Sequence, residues 1–161
     1  MMRNTVMLIL PVFFLILVAG CSTTTVTLPP DTVATIGAEI NQFFANLSRA
    51  MESNDVEQVL PFYTLPFEYV DFEGTSVTIA TPETLRMFIL ETAMTGTIQA
   101  DQFQNLQITV IDEANVVVKV DEVWVQEYEG SVYGGTDHLR MTLVKAEGSW
   151  KIKKTELLGW E

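Results

Sequence analysis

Long stretches of alternating apolar and polar residues fill the second half of the chain, and this alternation constrains the fold more than any other feature of the sequence. A two-residue period places one apolar row on one face of a β-strand. Leu106, Ile108 and Val110 follow this period, and a long β-branched run extends from Val116 to Tyr128. Acidic–glycine pairs at 129–130 and 147–148 then separate two further extended runs. The chain after residue 99 therefore predicts four long antiparallel strands.

In the second of these four strands, the apolar residues move from one alternating set of positions to the other. The apolar positions include Val116 and Val120 at first, but they move to Val123 and Val125 further along. One extra residue near Asp121-Glu122 would restore the apolar facing, so the pattern predicts a β-bulge there. Adjacent residues on a strand point to opposite faces, and we expect these two acidic side chains to be solvated charges at a sheet edge.

Helical periodicity dominates the first half of the chain. One apolar stripe recurs at 3.6 residues per turn, on Ile36, Ile40, Phe43, Phe44, Leu47 and Met51. A second, short helix is predicted to start after Asp55 and to stop near Pro61, and a third to start at Thr81-Pro82-Glu83, which has the residues of a helix N-terminus. Extended runs at 67–72 and 76–80 predict a small hairpin between the second and third helices.

The N-terminus has the features of an export signal. Arg3 precedes an apolar run over residues 5–20, which is shorter than the roughly 20 residues of a membrane-spanning helix. The segment Val18-Ala19-Gly20-Cys21 resembles the lipobox of bacterial lipoproteins. That resemblance implies cleavage before Cys21, lipidation of its thiol and anchoring to a bilayer outside the cytoplasm. The alternative, a short transmembrane anchor with an unrelated cysteine, is disfavoured by the length of the run.

Three regions follow from these signals: a signal peptide over residues 1–20, a lipidated cysteine with an extended tether over 21–32, and one domain over 33–161. Ser22 follows the cysteine, and in lipoproteins of Gram-negative bacteria a residue other than aspartate there implies the periplasmic side of the outer membrane. The formal net charge is −12. Because such a chain is repelled by phosphate backbones, we expect no nucleic-acid partner.

Helices that precede a run of strands predict an α+β domain with helices on one face of a sheet. Three segments strengthen this prediction: SNDVEQVLPFY at 53–63, TPETLRMFI at 81–89 and TLVKAEGSWKIKKTEL at 142–157. In this order they resemble the NTF2-like superfamily (SnoaL-like, with a cystatin-type cone). The resemblance implies three N-terminal helices packed on a curved antiparallel sheet, with an apolar pocket at the open end of the cone. The superfamily includes isomerases, dehydratases, cyclases and non-enzymes, so the fold leaves the function open.

Two candidate catalytic positions follow from the resemblance. Asp71 lies roughly where the ketosteroid-isomerase branch carries its general base, although an Asp beside a turn more often binds backbone amides. Asp137-His138 resembles the strand where those isomerases place an acid that donates to the oxyanion, but its spacing to Gly148 is several residues too long. Phe43 stands where the isomerases aim a tyrosine hydroxyl at the substrate. An enolate needs preorganised donors, so isomerase chemistry is disfavoured.

The expected pocket walls are aromatic, as small-molecule sites usually require. The candidates are Phe43, Phe44, Tyr63, Phe67, Phe88 and Trp124. The sequence shows no Gly-rich phosphate loop and no metal-ligand spacing, and we expect neither a cofactor nor a metal.

We therefore expect a lipid-anchored NTF2-like domain that binds a small apolar ligand or a partner protein without catalysis. One alternative is a lyase or isomerase that uses Asp71 as general base. The other is an envelope assembly subunit, and we also expect a homodimer through the face of the sheet.

The lipobox generates the first testable prediction. Cys21→Ser removes the thiol that would accept lipid, so palmitate labelling should be lost and the uncleaved precursor should accumulate. Metabolic labelling followed by membrane fractionation measures both effects. A serine variant that still incorporates palmitate would refute the assignment, and Ser22→Ala serves as the matched control that should label normally.

Overall fold

The computed structural model describes residues 28–161. The predicted signal peptide, Cys21 and most of the predicted tether lie outside these residues, so the structure leaves them as predictions. Within the described part of the chain, no helix combines the length and the apolar character needed to cross a membrane.

Three α-helices, one short 3-10 turn and six strands make up this domain. In chain order they are α1 (Pro30–Glu52), α2 (Val56–Val59), the 3-10 turn (Leu60–Phe62), β1 (Tyr63–Val70), β2 (Ser76–Ile79), α3 (Pro82–Thr92), β3 (Thr97–Asp112), β4 (Asn115–Tyr128), β5 (Ser131–Ala146) and β6 (Ser149–Trp160). The order of helices, hairpin and long strands agrees with the order predicted from the sequence.

The first helix begins earlier than predicted. The extended tether was expected to reach residue 32, but α1 starts at Pro30. Proline suits the first turn of a helix because its missing N–H has no intrahelical partner there in any case. The third helix begins as predicted: the Thr81 hydroxyl accepts a hydrogen bond from the Thr84 N–H at 3.2 Å, and Pro82 follows the cap.

One mixed sheet contains all six strands, in the order β2-β1-β6-β5-β4-β3. The four long strands pair antiparallel as predicted, but β1 pairs parallel with β6. The expectation of a wholly antiparallel sheet was therefore wrong. The chain crosses to the far edge through α3 and returns by three hairpins, so β6 arrives beside β1 in the same direction. Only two of the three helices precede the sheet, because α3 follows the first hairpin.

The core lies between α1 and the inner face of the sheet. All six residues of the predicted apolar stripe on α1 are buried. They pack with inward side chains of the three central strands, among which Val116, Val118, Leu143 and Ile152 have no exposed surface. Burial of each large aliphatic or aromatic side chain contributes about 1.5–3 kcal/mol. This shared apolar layer holds the helix on the sheet.

The predicted bulge in β4 is absent, and that prediction was wrong. β4 pairs with β5 without interruption from Asn115 to Tyr128. The extra residue lies in the neighbouring strand β3, where Gln104 faces Asp121 and Gln107 faces Lys119.

Asn105 forms this bulge in β3, with a φ of 55°. Its side-chain Nδ2 donates a hydrogen bond to Oδ2 of Asp121 at 2.7 Å across the strands. Asparagine tolerates this left-handed conformation better than most residues. The extra residue moves the inward row of β3 from Asp101 and Phe103 to Leu106 and Ile108.

The bulge gives the second prediction. Asn105→Val combines a β-branched side chain with a positive φ and loses the bond to Asp121, whereas Asn105→Gly loses the bond without backbone strain. We expect the valine variant to be less stable than the glycine variant by about 1–2 kcal/mol. Urea unfolding of the two variants, followed by circular dichroism, measures the difference. Equal stabilities would contradict this account of the bulge.

Candidate functional site

Because the alternation along β4 is uninterrupted, polar residues near the C-terminal end of this strand also face the inner side of the sheet. Glu122 and Trp124 lie on the same side of the strand as the buried Val116 and Val120, whereas Val123 lies on the outer face. The register therefore corrects the expectation that Glu122 is a solvated charge at a sheet edge. Near the end of the strand, an acid and an indole occupy positions that apolar residues occupy elsewhere.

Neighbouring strands add two more acidic side chains beside Glu122. Asp137 of β5 pairs directly with Glu122, and Asp101 of β3 pairs with Trp124. Three adjacent strands thus each contribute one carboxyl group to the same end of the inner face. We call Asp101, Glu122 and Asp137 the carboxyl cluster.

Two adjoining cavities of about 100 Å³ each lie over this cluster. Both are lined by Thr92 and Ala93 at the end of α3 and by Glu122 and Asp137. The acidic cavity adds Asp101, Trp124 and three further residues, Ile98, Val125 and Gln126. The apolar cavity extends toward α1 and β1, where its lining includes Leu47, Met51, Tyr63, Phe67, Tyr69, Phe88, Phe103, Leu139, Met141 and Leu157.

Burial shifts the proton equilibria of the carboxyl cluster. Asp101 is 1% exposed, and its removal from water raises its pKa to about 7. Burial also raises the pKa of Glu122 well above its usual range, and the negative charge of Asp101 adds to the effect. The pKa of Asp137 is raised by burial as well, against a hydrogen bond from Trp124 that lowers it. These effects favour the protonated form of Glu122, which can donate a hydrogen bond to the carboxylate of Asp101.

The surroundings of Asp101 offer it little compensation. Its Oδ1 is buried and has no hydrogen-bond partner in the described part of the chain. The backbone N–H of Asp101 donates to Oε1 of Glu52 at 3.2 Å, which brings a further negative charge close to the cluster. Unpaired buried groups of this kind cost stability and often mark functional sites.

Aromatic rings form one wall of the apolar cavity. The ring centroids of Tyr63 and Phe67 are 5.0 Å apart, those of Phe67 and Phe88 are 5.8 Å apart, and those of Tyr69 and Phe88 are 5.1 Å apart. Burial raises the pKa of Tyr63 far above its usual range, so its hydroxyl stays protonated. The wall is therefore neutral, in contrast with the acidic end of the site.

Four of the six predicted pocket residues line these cavities: Tyr63, Phe67 and Phe88 line the apolar cavity, and Trp124 lines the acidic one. Phe43 and Phe44 lie outside both linings. Phe43 packs against Phe62 with centroids 5.4 Å apart and lines a separate groove together with Trp150. Phe44 packs against Phe103 with centroids 5.0 Å apart. Both are core residues at the positions that the apolar stripe predicted.

Asp71 does not reach the cavities. Its Oδ1 accepts hydrogen bonds from the backbone N–H groups of Glu73 at 3.0 Å and Thr75 at 2.8 Å, in the turn between β1 and β2. Asp71 therefore closes a turn, which was the alternative to a catalytic role for this residue. Nothing in the geometry brings a substrate to its carboxylate.

Asp137 and His138 are adjacent in sequence but lie on opposite faces of β5. Asp137 lines the cavities, whereas His138 lies on the outer face, where its Nδ1 is 2.7 Å from Oδ1 of Asp121. That hydrogen bond raises the pKa of His138. The pair therefore does not form one site, and only Asp137 joins the carboxyl cluster.

Asp101, Glu122 and Tyr69 were missed as site residues. A signal for Glu122 was present in the sequence, because unbroken alternation from Val116 places it on the inner face. Asp101 gave no such signal, since two irregular pairings in β3 on either side of it obscure its parity. Among the described residues, no group of His, Cys, Asp and Glu side chains is arranged to hold a metal ion.

The architecture is that of solved proteins with the NTF2-like, cystatin-like fold. A proposed scytalone dehydratase from Novosphingobium aromaticivorans aligns with a TM-score of 0.63 and 20% identity over 79% of this chain and 85% of that chain. An NTF2-like protein from the same organism aligns with a TM-score of 0.58 and 16% identity, covering 78% and 84% of the two chains. A protein of unknown function from Mycobacterium tuberculosis gives 0.66 and 17%, covering 80% and 74%.

These similarities show the fold: an α+β domain of the NTF2-like type with a curved six-stranded sheet and three helices. The sequence itself matches no family model and no curated protein.

The buried carboxyl of Asp101 gives the third prediction. Its pKa is about 7 in the folded protein against 3.8 in the unfolded chain, so the folded state binds its proton more tightly. The group therefore destabilises the domain increasingly as the pH rises from about 4 through 7. The free energy of unfolding of Asp101→Asn, measured relative to that of the native protein, should therefore increase by about 1–3 kcal/mol when the pH is raised from 5 to 8.

Urea unfolding of both proteins at the two pH values measures this gain. Asp121→Asn is the matched control on the outer face. The hydrogen bond from Asn105 lowers the pKa of Asp121, so its substitution should give no gain at pH 8. Parallel pH profiles of native protein and Asp101→Asn would refute the raised pKa.

Proposed function

We propose that this chain is a membrane-anchored extracytoplasmic lipoprotein whose NTF2-like domain binds a small, largely apolar ligand. The observation that carries the proposal is the pair of adjoining cavities, which have an aromatic and aliphatic wall and a few polar groups at one end. Small-molecule sites typically have this composition. Ligand sites for drug-sized molecules usually measure about 300–1,000 Å³. Two cavities of about 100 Å³ each indicate a smaller ligand.

The lipid anchor is supported by the lipobox-like sequence before Cys21 and by the short segment that follows it. α1 begins at Pro30, nine residues after Cys21. At most about 3.3–3.6 Å per residue, these residues can hold the domain no more than about 30 Å from the bilayer surface. A ligand released from the membrane or passing close to it would be within reach of such a domain.

Acid–base catalysis is the second candidate function, as a lyase or isomerase. The observation that favours it is the carboxyl of Asp101, with a pKa of about 7 inside the site. General acids and bases work best with pKa values near the operating pH. Asp101 and Glu122 replace Asp71 in this scheme, because Asp71 closes an exposed turn. We place catalysis second because binding requires only the groups that line the cavities, whereas catalysis also requires a reacting atom held against them.

The outer face of the sheet does not distinguish the remaining alternatives. It carries ion pairs, including Arg140 with Glu156 at 3.3 Å and Lys154 with Glu68 at 3.3 Å. A homodimer through this face, or assembly with an envelope partner, stays a prediction from the sequence.

The binding proposal gives the fourth prediction. Ala93 lines both cavities, and Ala93→Phe should fill their shared space. The probe is phenethyl alcohol, a neutral aromatic molecule, titrated into the full-length protein in lipid nanodiscs and followed by ligand-observed NMR. We expect saturable binding by the native protein and a loss of about tenfold or more in Ala93→Phe, which corresponds to about 1.4 kcal/mol.

Glu91→Phe places the same ring on an exposed position of the same helix and is the matched control. It should bind the probe like the native protein. If the alcohol binds the two variants equally, whether tightly or weakly, the cavities are not its binding site.

A further inference from the structure

The carboxyl cluster gathers three acidic side chains with no basic residue in the described lining of its cavities. Three adjacent strands direct Asp101, Glu122 and Asp137 to one cavity. Among the described residues, none of those that line the two cavities is Lys, Arg or His. Buried carboxylates are normally paired with a cation or satisfied by hydrogen bonds, because desolvation of an unpaired charge is costly. The site lacks that positive partner within the fold.

The orphaned oxygen of Asp101 is a second, independent sign of a missing partner. Asp101 is 1% exposed, and its Oδ1 has no hydrogen-bond donor in the described part of the chain. Glu52 accepts a hydrogen bond from the backbone N–H of Asp101 and gives the Asp101 side chain no donor, because Glu52 is itself a carboxylate. Among the described residues, the side chain whose hydrogen bond acts on the pKa of Asp101 is that of Glu122, and a bond between two carboxyls requires a shared proton. An external donor would satisfy the oxygen without one.

We propose that this site recognises a small organic cation, an ammonium group carried on a compact apolar body, with the ammonium at the carboxyl cluster and the apolar body in the apolar cavity. This inference rests on the proposed ligand-binding function and names its ligand class. A primary ammonium has three N–H donors, one for each carboxyl of the cluster. Its charge replaces the shared proton as the partner of Asp101.

The remainder of the site suits such a molecule. The rings of Tyr69 and Phe88 line the apolar cavity together with Glu122 and Asp137, and aromatic rings attract cations that approach within about 6 Å. The aliphatic side chains of Leu139 and Met141 complete an apolar floor for the body of the ligand. The formal net charge of −12 also attracts cations to the protein surface and raises their local concentration.

Binding of a cation is coupled to proton release in this arrangement. The titratable groups that face the cluster are Glu52 from α1, Tyr63 and Tyr69 from β1, Asp101 from β3, Glu122 from β4 and Asp137 from β5. The tyrosines stay neutral because burial raises their pKa. Burial raises the pKa of the three carboxyls of the cluster, so they bind protons more tightly than usual and a cation must displace protons at low pH. Its affinity therefore rises as the pH rises through about 7.

The test compares two probes with the same carbon skeleton, phenethylamine and phenethyl alcohol, on the full-length protein in lipid nanodiscs. The amine stays protonated up to pH 8, as alkylammonium groups do. We expect the amine to bind about 10- to 100-fold more tightly than the alcohol at pH 8, the range expected for hydrogen bonds to charged groups. This preference should shrink by roughly fivefold or more at pH 5.

Glu122→Gln and Asp101→Asn remove one carboxyl each with little change of volume, and each should reduce the preference for the amine at pH 8 to below about threefold. Two variants guard against misfolding of one. Asp121→Asn removes an acid of the same strand on the outer face and should retain the preference.

The possible outcomes distinguish failure of the cation inference from failure of the proposed binding function. If the alcohol binds and the amine has no advantage at pH 8, the cation inference is overturned and the proposed binding function stands. If the preference survives both cluster variants, or is lost in Asp121→Asn, the amine binds elsewhere and the inference is overturned as well. If neither probe binds, the binding function itself fails.

Discussion

The uninterrupted pairing of β4 with β5 is the constraint on which the site depends. Because no residue is inserted on either strand, the two-residue alternation that buries Val116 and Val120 must also place Glu122 and Trp124 on the inner face. The same register puts Asp137 opposite Glu122. A shift of one residue would expose all these groups to solvent and place valines in the cavity. The acidic end of the site is thus a consequence of strand pairing in the core.

The apolar layer compensates for this arrangement. Buried carboxyls with raised pKa values destabilise the folded state at neutral and alkaline pH, whereas the side chains between α1 and the sheet each contribute about 1.5–3 kcal/mol. Asp101 lies on the inner face of β3 beside α1, close to buried residues such as Phe44. The core therefore tolerates an unpaired acid at its edge. Local rules of apolar patterning are commonly broken at functional sites in this way.

The sequence patterns predicted the positions of the helices and strands. They predicted less well which residues of each element face the core. The stripe from Ile36 to Met51 faces the core because a helix with one apolar side can bury only that side. The bulge predicted in β4 is wrong because it requires Val123 to face inward, and valines also occur on the outer side of a sheet with partly covered faces. The true bulge at Asn105 could not be located, since its only local sign is an asparagine between Gln104 and Leu106.

By itself, the sequence determined the helical stripe, the caps of the short helices and the four long strands, because these follow from local periodicity and residue chemistry. It also predicts the lipid anchor at Cys21. Only the tertiary structure decided that β1 runs parallel to β6, that Asp71 closes a turn, and that Asp101, Glu122 and Asp137 share one cavity. These residues are separated along the chain, and their meeting depends on the registers of three strand pairings, which long-range packing sets and no single segment encodes.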